Sequence, residues 1–291
     1  MHTPNPLPER PYIALPASHL PSKTLRTEMC LVLGVSIGAS ALRAILAITD
    51  RLTRDIALSA QTSTLNTPIT PDRPWLDLAY QLLRIILLII PALLALHLMR
   101  RDDTTTDHRI GWHLHTPAND LALGTVLATC IGIPGLGLYL GAKALNINTT
   151  VSAASLGDHW WSIPIPILIL ASLANAICEE IILIGYLFTR WEQARNADRL
   201  AKGKIPPTPS NEWIPATRAV LPILLLSALL RGTYHLYQGF GGFIGNICMG
   251  LILGTVYART HRVLPIVIAH ALIDIVAFIG YTLLAGHIAW I

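Results

Sequence analysis

The sequence predicts an all-α, polytopic integral membrane bundle of about seven transmembrane helices, with six to eight as the range. Three observations predict it. The chain is 53% hydrophobic and only 13% charged, whereas soluble domains carry about 25% charged residues. Seven stretches approach the roughly 20 apolar residues needed to cross a bilayer core. The basic residues lie mostly between those stretches, as in membrane proteins with a fixed orientation.

In chain order, residues 1–28 are proline-rich with no long apolar core, so they are expected to form a disordered cytoplasmic tail and not a cleavable signal peptide. The expected spans are 29–48, 75–99, 119–142, 163–188, 217–237, 240–258 and 264–286. The first is the weakest, because it contains Arg43 and several small polar residues. The loop 49–74 interleaves three arginines with Asp50, Asp55 and Asp72. The segment 189–216 reads as a polar linker with five basic residues and a PPTP turn. Pro222 marks a bend in the fifth span, and the last span has a possible break near Gly280. Residues 29–142 then form N-terminal transmembrane helices, and 143–291 form the segment that holds the chemistry.

Lysine and arginine placement sets the expected orientation. With the N-terminus inside, the inner segments hold fourteen such residues and the outer ones four, namely Arg51, Arg54, Arg73 and Lys143. This bias puts the N-terminus in the cytoplasm and the C-terminus outside, most simply in the cell membrane. A net charge of +4 dispersed between apolar runs gives no case for nucleic acid. Cys30, Cys130, Cys178 and Cys248 lie in or beside apolar segments without metal-ligand spacing, and read as small packing residues. HExxH, G-x-S-x-G, P-loop and dinucleotide signatures are absent. Gly38-Ala39-Ser40 reads as small-residue helix packing. No internal repeat supports a transporter architecture.

The chemistry-bearing residues are those that hydrocarbon should exclude. Glu179 and Glu180 interrupt the run from Ile163 to Phe188. A carboxylate near the middle of a membrane helix costs roughly 2.5–3.5 kcal/mol on insertion scales. Consecutive residues point about 100° apart, so one can face a cavity while the other packs against a neighbour. Arg231 and His235 stand one turn apart in LLRGTYHLY, and His270 and Asp274 one turn apart in AHALID. A carboxylate one turn from a histidine can orient its ring. The bland alternative is a set of structural ion pairs locking helices together. A second alternative is a proton relay in a transporter, since Glu/His/Asp chains also carry protons.

The ordered set Glu179-Glu180, then His235 before a glycine-rich stretch, then His270-x-x-x-Asp274 resembles the CAAX-protease and bacteriocin-processing (abortive-infection-like) family of intramembrane endopeptidases. The family pattern is EExxxR, FxxxH and HxxxN or HxxxD on successive elements, and the resemblance covers roughly residues 160–280. It implies a peptide hydrolase with Glu179 as the base that activates water, Glu180 as a supporting carboxylate, and His235, His270 and Asp274 lining the centre. It implies either a glutamate-dependent site or a zinc site using Glu179, His235 and His270. The implied substrate is a membrane-associated protein or peptide, with or without a lipid modification. This chain departs from the pattern twice: the motif arginine falls at Ile184, and the motif aromatic falls at Arg231. Charge balance suggests that Arg231 supplies the missing cation to Glu180. A member with that exchange could also have become a non-catalytic binder of a membrane partner.

Overall fold

The computed structural model describes residues 20–152, 164–204 and 217–284. Within them the chain is helical almost throughout. Helices α1 (Ser22–Val35) and α2 (Ile37–Leu52) form one pass bent by 48° at Ser36. Their buried residues follow helical spacing, Leu25, Met29 and Val32 on α1 and Ile37, Ala41, Ala44 and Ile48 on α2. Leu31, Leu42 and Leu46 on the opposite faces are more than 60% exposed, as a lipid-facing stripe would be.

After a short strand β1 (Thr62–Thr64), α3 (Pro74–Asp102) runs back, beginning on a proline whose missing N–H costs nothing there. The one-turn α4 (Thr106–Arg109) leads to α5 (Pro117–Ala144), and β2 (Thr150–Ser152) pairs in parallel with β1. Helix α6 (Pro164–Glu180), a π-helical turn (Ile181–Tyr186) and α7 (Leu187–Ala201) follow without a break, and Ile165–Ala201 forms a 37-residue rod. Two thirds of its apolar window is buried, against about a tenth for α5, so this rod is the centre of the bundle. Helices α8 (Thr217–Tyr234), α9 (Phe240–Thr260) and α10 (Leu264–Leu284) complete it. The α8–α9 seam is closed by glycines: a Cβ at Gly250 would sit 2.9 Å from Ala228 Cα, and one at Gly254 2.4 Å from Leu224 Cδ1.

The two ends differ in how they are tied. At one end, ion pairs join α1, α3 and α7. Fully buried Arg190 bonds Asp102 at 2.6 Å and the Leu98 carbonyl at 2.6 Å, and lies 3.4 Å from Glu28. At the other end, neutral hydroxyls and amides hold the β1–β2 pair onto the turn between α8 and α9. Ser63 Oγ donates to the Tyr237 carbonyl at 2.9 Å, and Thr149 donates to the Gln238 carbonyl through both its backbone N–H and its hydroxyl. Gly239, with φ of +111°, lets the backbone pass Asn148, where a Cβ would come within 2.7 Å of its Cα.

An all-α polytopic membrane bundle is therefore what the chain forms, with corrections of detail. Among the described residues, five helices are long and apolar enough to cross a membrane, six if the bent α1–α2 pair is one broken span. With the bent pair counted the number falls within the expected six to eight, and α8 adds a further, shorter apolar stretch, Val220–Tyr234. The tail expected to reach residue 28 gives way to helix at Ser22, since Leu25 is fully buried; residues 1–19 lie outside the described residues. The expected linker 189–216 is helical to Ala201, held by buried Arg190, Gln193 and Ala194; its PPTP turn lies outside the described residues. Helix α10 runs through Gly280 unbroken. Of the four cysteines only Cys178 is buried; Cys30, Cys130 and Cys248 are exposed on apolar helix faces.

Candidate active site

Three helices converge on the glutamate doublet. Glu179 and Glu180 end α6, Arg231 and Tyr234 lie in the last turn of α8, and His270 sits six residues into α10. By helical rise, that is about 9 Å from the start of α10. Glu180 and Arg231 are fully buried, Glu179 and His270 nearly so.

Arg231 bridges the doublet. Its Nη1 donates to Glu179 Oε2 at 3.1 Å and its Nη2 to Glu180 Oε1 at 2.7 Å. Ile184, where the family pattern has an arginine, is fully buried in the apolar core, so the cation facing the doublet comes from α8. The Tyr234 hydroxyl donates a short hydrogen bond to Glu179 Oε2. His270 Nδ1 donates to Glu180 Oε1 at 2.6 Å in the tautomer that protonates Nδ1. The other ring nitrogen, Nε2, then faces a gap between Glu179 Oε2 at 3.8 Å and Asp274 Oδ2 at 3.7 Å. Asp274 accepts from the Asn175 side-chain amide at 3.1 Å. Three carboxylates thus surround one guanidinium and one imidazole, an arrangement that only mutual pairing makes tolerable in a buried site.

The π turn directly after Glu180 is part of this construction. Widening one turn leaves carbonyls off the regular ladder, and hydroxyls meet two of them: Ser227 Oγ donates to the Leu183 carbonyl at 2.9 Å, and Thr189 Oγ1 to the Gly185 carbonyl at 2.6 Å. Such turns recur at functional sites. Here it lets α6 present both glutamates inward while α7 turns Arg190 toward α1 and α3.

Sequence expectation and geometry differ in three places. His270 is bonded closely to Glu180, not to Asp274, which stands at ion-pair and not hydrogen-bond distance. His235 is half-buried just beyond the end of α8, with Nδ1 3.0 Å from the Arg231 carbonyl and its ring against Tyr234 at 4.4 Å between centroids. It is an electrostatic neighbour of Glu179 but stays outside the group whose ligand atoms lie within 4.8 Å of one another, which is Glu179, Glu180 and His270. The zinc set of Glu179, His235 and His270 is therefore not assembled. The Arg231 guanidinium occupies Glu179 Oε2 and Glu180 Oε1, so a metal ion at Glu179, Glu180 and His270 would be held by the other glutamate oxygens and by the imidazole. Tyr234 and Asn175 are the members that sequence reading missed.

Two atoms of the cluster, Glu180 Oε2 and Arg231 Nε, are buried without a hydrogen-bond partner among the described residues. Polar atoms of that kind are where internal water is usually held. All bonds to Glu179 among the described residues fall on Oε2, which leaves Oε1 for a water or a substrate.

Comparison with known proteins adds one match. Residues 160–276 match the family model described as type II CAAX prenyl endopeptidase Rce1-like. No curated protein and no solved structure matches the chain. The matched segment, less than half of the chain, holds all the residues of the cluster. The resemblance to the CAAX-protease family is borne out over residues 160–276, and it indicates an intramembrane endopeptidase acting on a membrane-associated protein.

Proposed function

We propose that the chain hydrolyses a peptide bond of a membrane-associated protein, near a lipid-modified C-terminus, with Glu179 activating the attacking water. The observation that supports this reading is the meeting of Glu179, Glu180, Arg231, Tyr234 and His270 inside the segment that matches an endopeptidase family.

The roles follow from exposure and bonding. Glu180 is fully enclosed and bonded to both Arg231 and His270, so it holds the site together. Glu179 is the more accessible of the two, and its Oε1 takes no hydrogen bond from the described residues, which leaves it for water. Arg231 and Tyr234 fix its other oxygen, which aims the carboxylate and removes its freedom to rotate. A water bonded to Glu179 Oε1 loses a proton to it as the oxygen attacks the peptide carbonyl. His270, protonated on both ring nitrogens, bonds Glu180 through Nδ1 and donates from Nε2 to the carbonyl oxygen as that atom gains negative charge. Collapse of the tetrahedral intermediate breaks the C–N bond, and the proton held by Glu179 passes to the leaving amine. Asp274, oriented by Asn175, orients the His270 ring or bound water from one helical turn away. His235 lines the outer rim beside Tyr234. We also infer that the end carrying α4, α7 and the α9–α10 turn faces the cytoplasm, because most lysines and arginines of the chain belong to it.

The test is cleavage of a fluorogenic peptide ending in a prenylated cysteine motif by the protein in liposomes. Glu179→Gln is expected to abolish cleavage while keeping the parental thermal transition. Cleavage by Glu179→Gln at the parental rate would overturn the reading. Proton-coupled uptake of a solute, lost in the same variant, would favour a transporter instead.

A further inference from the structure

Away from the polar cluster, three imidazoles meet at the opposite side of the α10 entry. His108 belongs to α4, and His113 and His115 to the loop that leads into α5. One ring nitrogen from each lies within 4.8 Å of those of the other two. The ring centroids are 4.6, 4.7 and 4.3 Å apart. His113 is half-buried, while His108 and His115 are open to solvent. The cluster lies between membrane spans, so water-soluble ions reach it.

The loop is held in this shape by bonds that do not involve the imidazoles. Val263 N donates to the Ile110 carbonyl at 2.8 Å, and Trp112 N to the Asp107 carbonyl at 2.8 Å. Gly111 has φ of +66°, and a Cβ there would lie 2.4 Å from Arg262 Cα, so the loop presses directly on the α9–α10 turn. Arg262 reaches His113 at 3.3 Å from its Nη1, but Asp120 grips the same guanidinium at 2.8 and 2.5 Å. The guanidinium that reaches His113 is thus already neutralised by a bidentate carboxylate.

We propose that His108, His113 and His115 bind one divalent late-transition-metal ion of the zinc or copper(II) class, leaving an open coordination position. Imidazole without carboxylate is a donor set for zinc, copper and nickel, and a poor one for magnesium or calcium. His113 Nδ1 and His115 Nδ1 stand 2.7 Å apart, closer than the roughly 3.3 Å between nitrogens on a tetrahedral zinc with bonds of about 2.05 Å. A small ring rotation about χ2 opens that distance. The ion would brace α4 and the α5 entry against the turn from which α10 starts, and α10 carries His270.

The experiment uses the full chain in detergent, stripped with a chelator and titrated with zinc chloride by calorimetry. A parallel sample takes copper(II) chloride for electron paramagnetic resonance. The expected result is one tight equivalent in the parent protein and in Glu179→Gln, with nitrogen splittings in the copper spectrum. His113→Gln/His115→Gln should weaken that equivalent by more than about 100-fold, since changes to groups that merely support the ligands already cost about 10–100-fold. Its melting temperature in chelator, equal to that of the parent, shows that it folds. His108→Gln, on an exposed side chain, serves if the double variant does not. No tight equivalent in the parent, undiminished binding in the histidine variants, or loss of the equivalent in Glu179→Gln would each overturn the proposal.

Discussion

Arg231 Nη2 lies 2.7 Å from Glu180 Oε1, across 51 residues of sequence. Both side chains are fully buried. The cation that the family pattern places one turn beyond the doublet is delivered here by another helix. Removing one partner of a buried pair costs about 3–5 kcal/mol, because the other charge is left uncompensated. Arg231→Leu is therefore expected to lower unfolding stability by about that amount in detergent. Arg231→Leu/Glu179→Gln/Glu180→Gln should recover most of the loss, since neutralising a whole buried network is often close to neutral. Unchanged melting in the single variant would refute the assignment.

Tyr234 predicts a smaller and more specific effect. Its hydroxyl bonds Glu179 while its ring packs beside His235. Tyr234→Phe keeps the ring and removes the bond, and hydrogen bonds to charged groups contribute about 1.5–3 kcal/mol. On the proposed role of Glu179, peptide turnover should fall about tenfold or more, with KM little changed, because the lost bond positions that carboxylate and not the substrate. A change confined to KM would assign Tyr234 to substrate binding.

Asp274 separates charge from hydrogen bonding. Its Oδ2 accepts from Asn175 and faces His270 Nε2 at 3.7 Å. Asp274→Asn, which keeps an oxygen acceptor, should retain substantial activity, and Asp274→Leu should lose nearly all of it, both folded by thermal melt. Equal activity in the Leu variant and the parent would remove Asp274 from the site. Equal loss in both would assign the role to its negative charge.

His261, in the turn between α9 and α10, gives a pH dependence. Burial disfavours its imidazolium and lowers its pKa below the ordinary 6.5. The unfolded chain then takes up this proton first as pH falls. Stability from this group is full above about pH 6.5 and is lost progressively as pH drops through the folded value. With φ of +50° the position suits asparagine. His261→Asn should flatten the fall in melting temperature between about pH 6.5 and 5; an unchanged slope would assign the effect to other groups.

The bundle and most of the cluster were legible because charge in hydrocarbon is conspicuous. Glu179, Glu180, Arg231 and His270 each break an apolar run, and cost alone argues that they must meet. Tyr234 and Asn175 break nothing: each is an ordinary residue in a membrane helix, and their partners lie 55 and 99 residues away. The bend at Ser36 and the early end of α8 escape a hydropathy reading, which measures apolar length and not backbone direction. The end of α8 is set by the turn at Gly239 and the hydroxyls of Ser63 and Thr149, on segments with no apolar signal. The π turn leaves no mark in composition, because Ile181–Tyr186 reads like any helix interior. The three histidines near α5 were invisible for the opposite reason: scattered polar residues in a loop are unremarkable until the chain brings them together.

The placement of the bridging arginine also bears on how the protein is made. An arginine on the glutamates' own helix enters the bilayer with them. Here the pair is synthesised 51 residues before the nearest guanidinium that reaches it. At ribosomal rates of about 5–20 residues per second, that is a wait of roughly 3–10 s. Until α8 inserts, two carboxylates on α6 must remain protonated, hydrated, or sheltered by the insertion machinery. The arrival of α8 is thus the step that commits the centre, and assembly of the buried polar cluster becomes a checkpoint late in biogenesis.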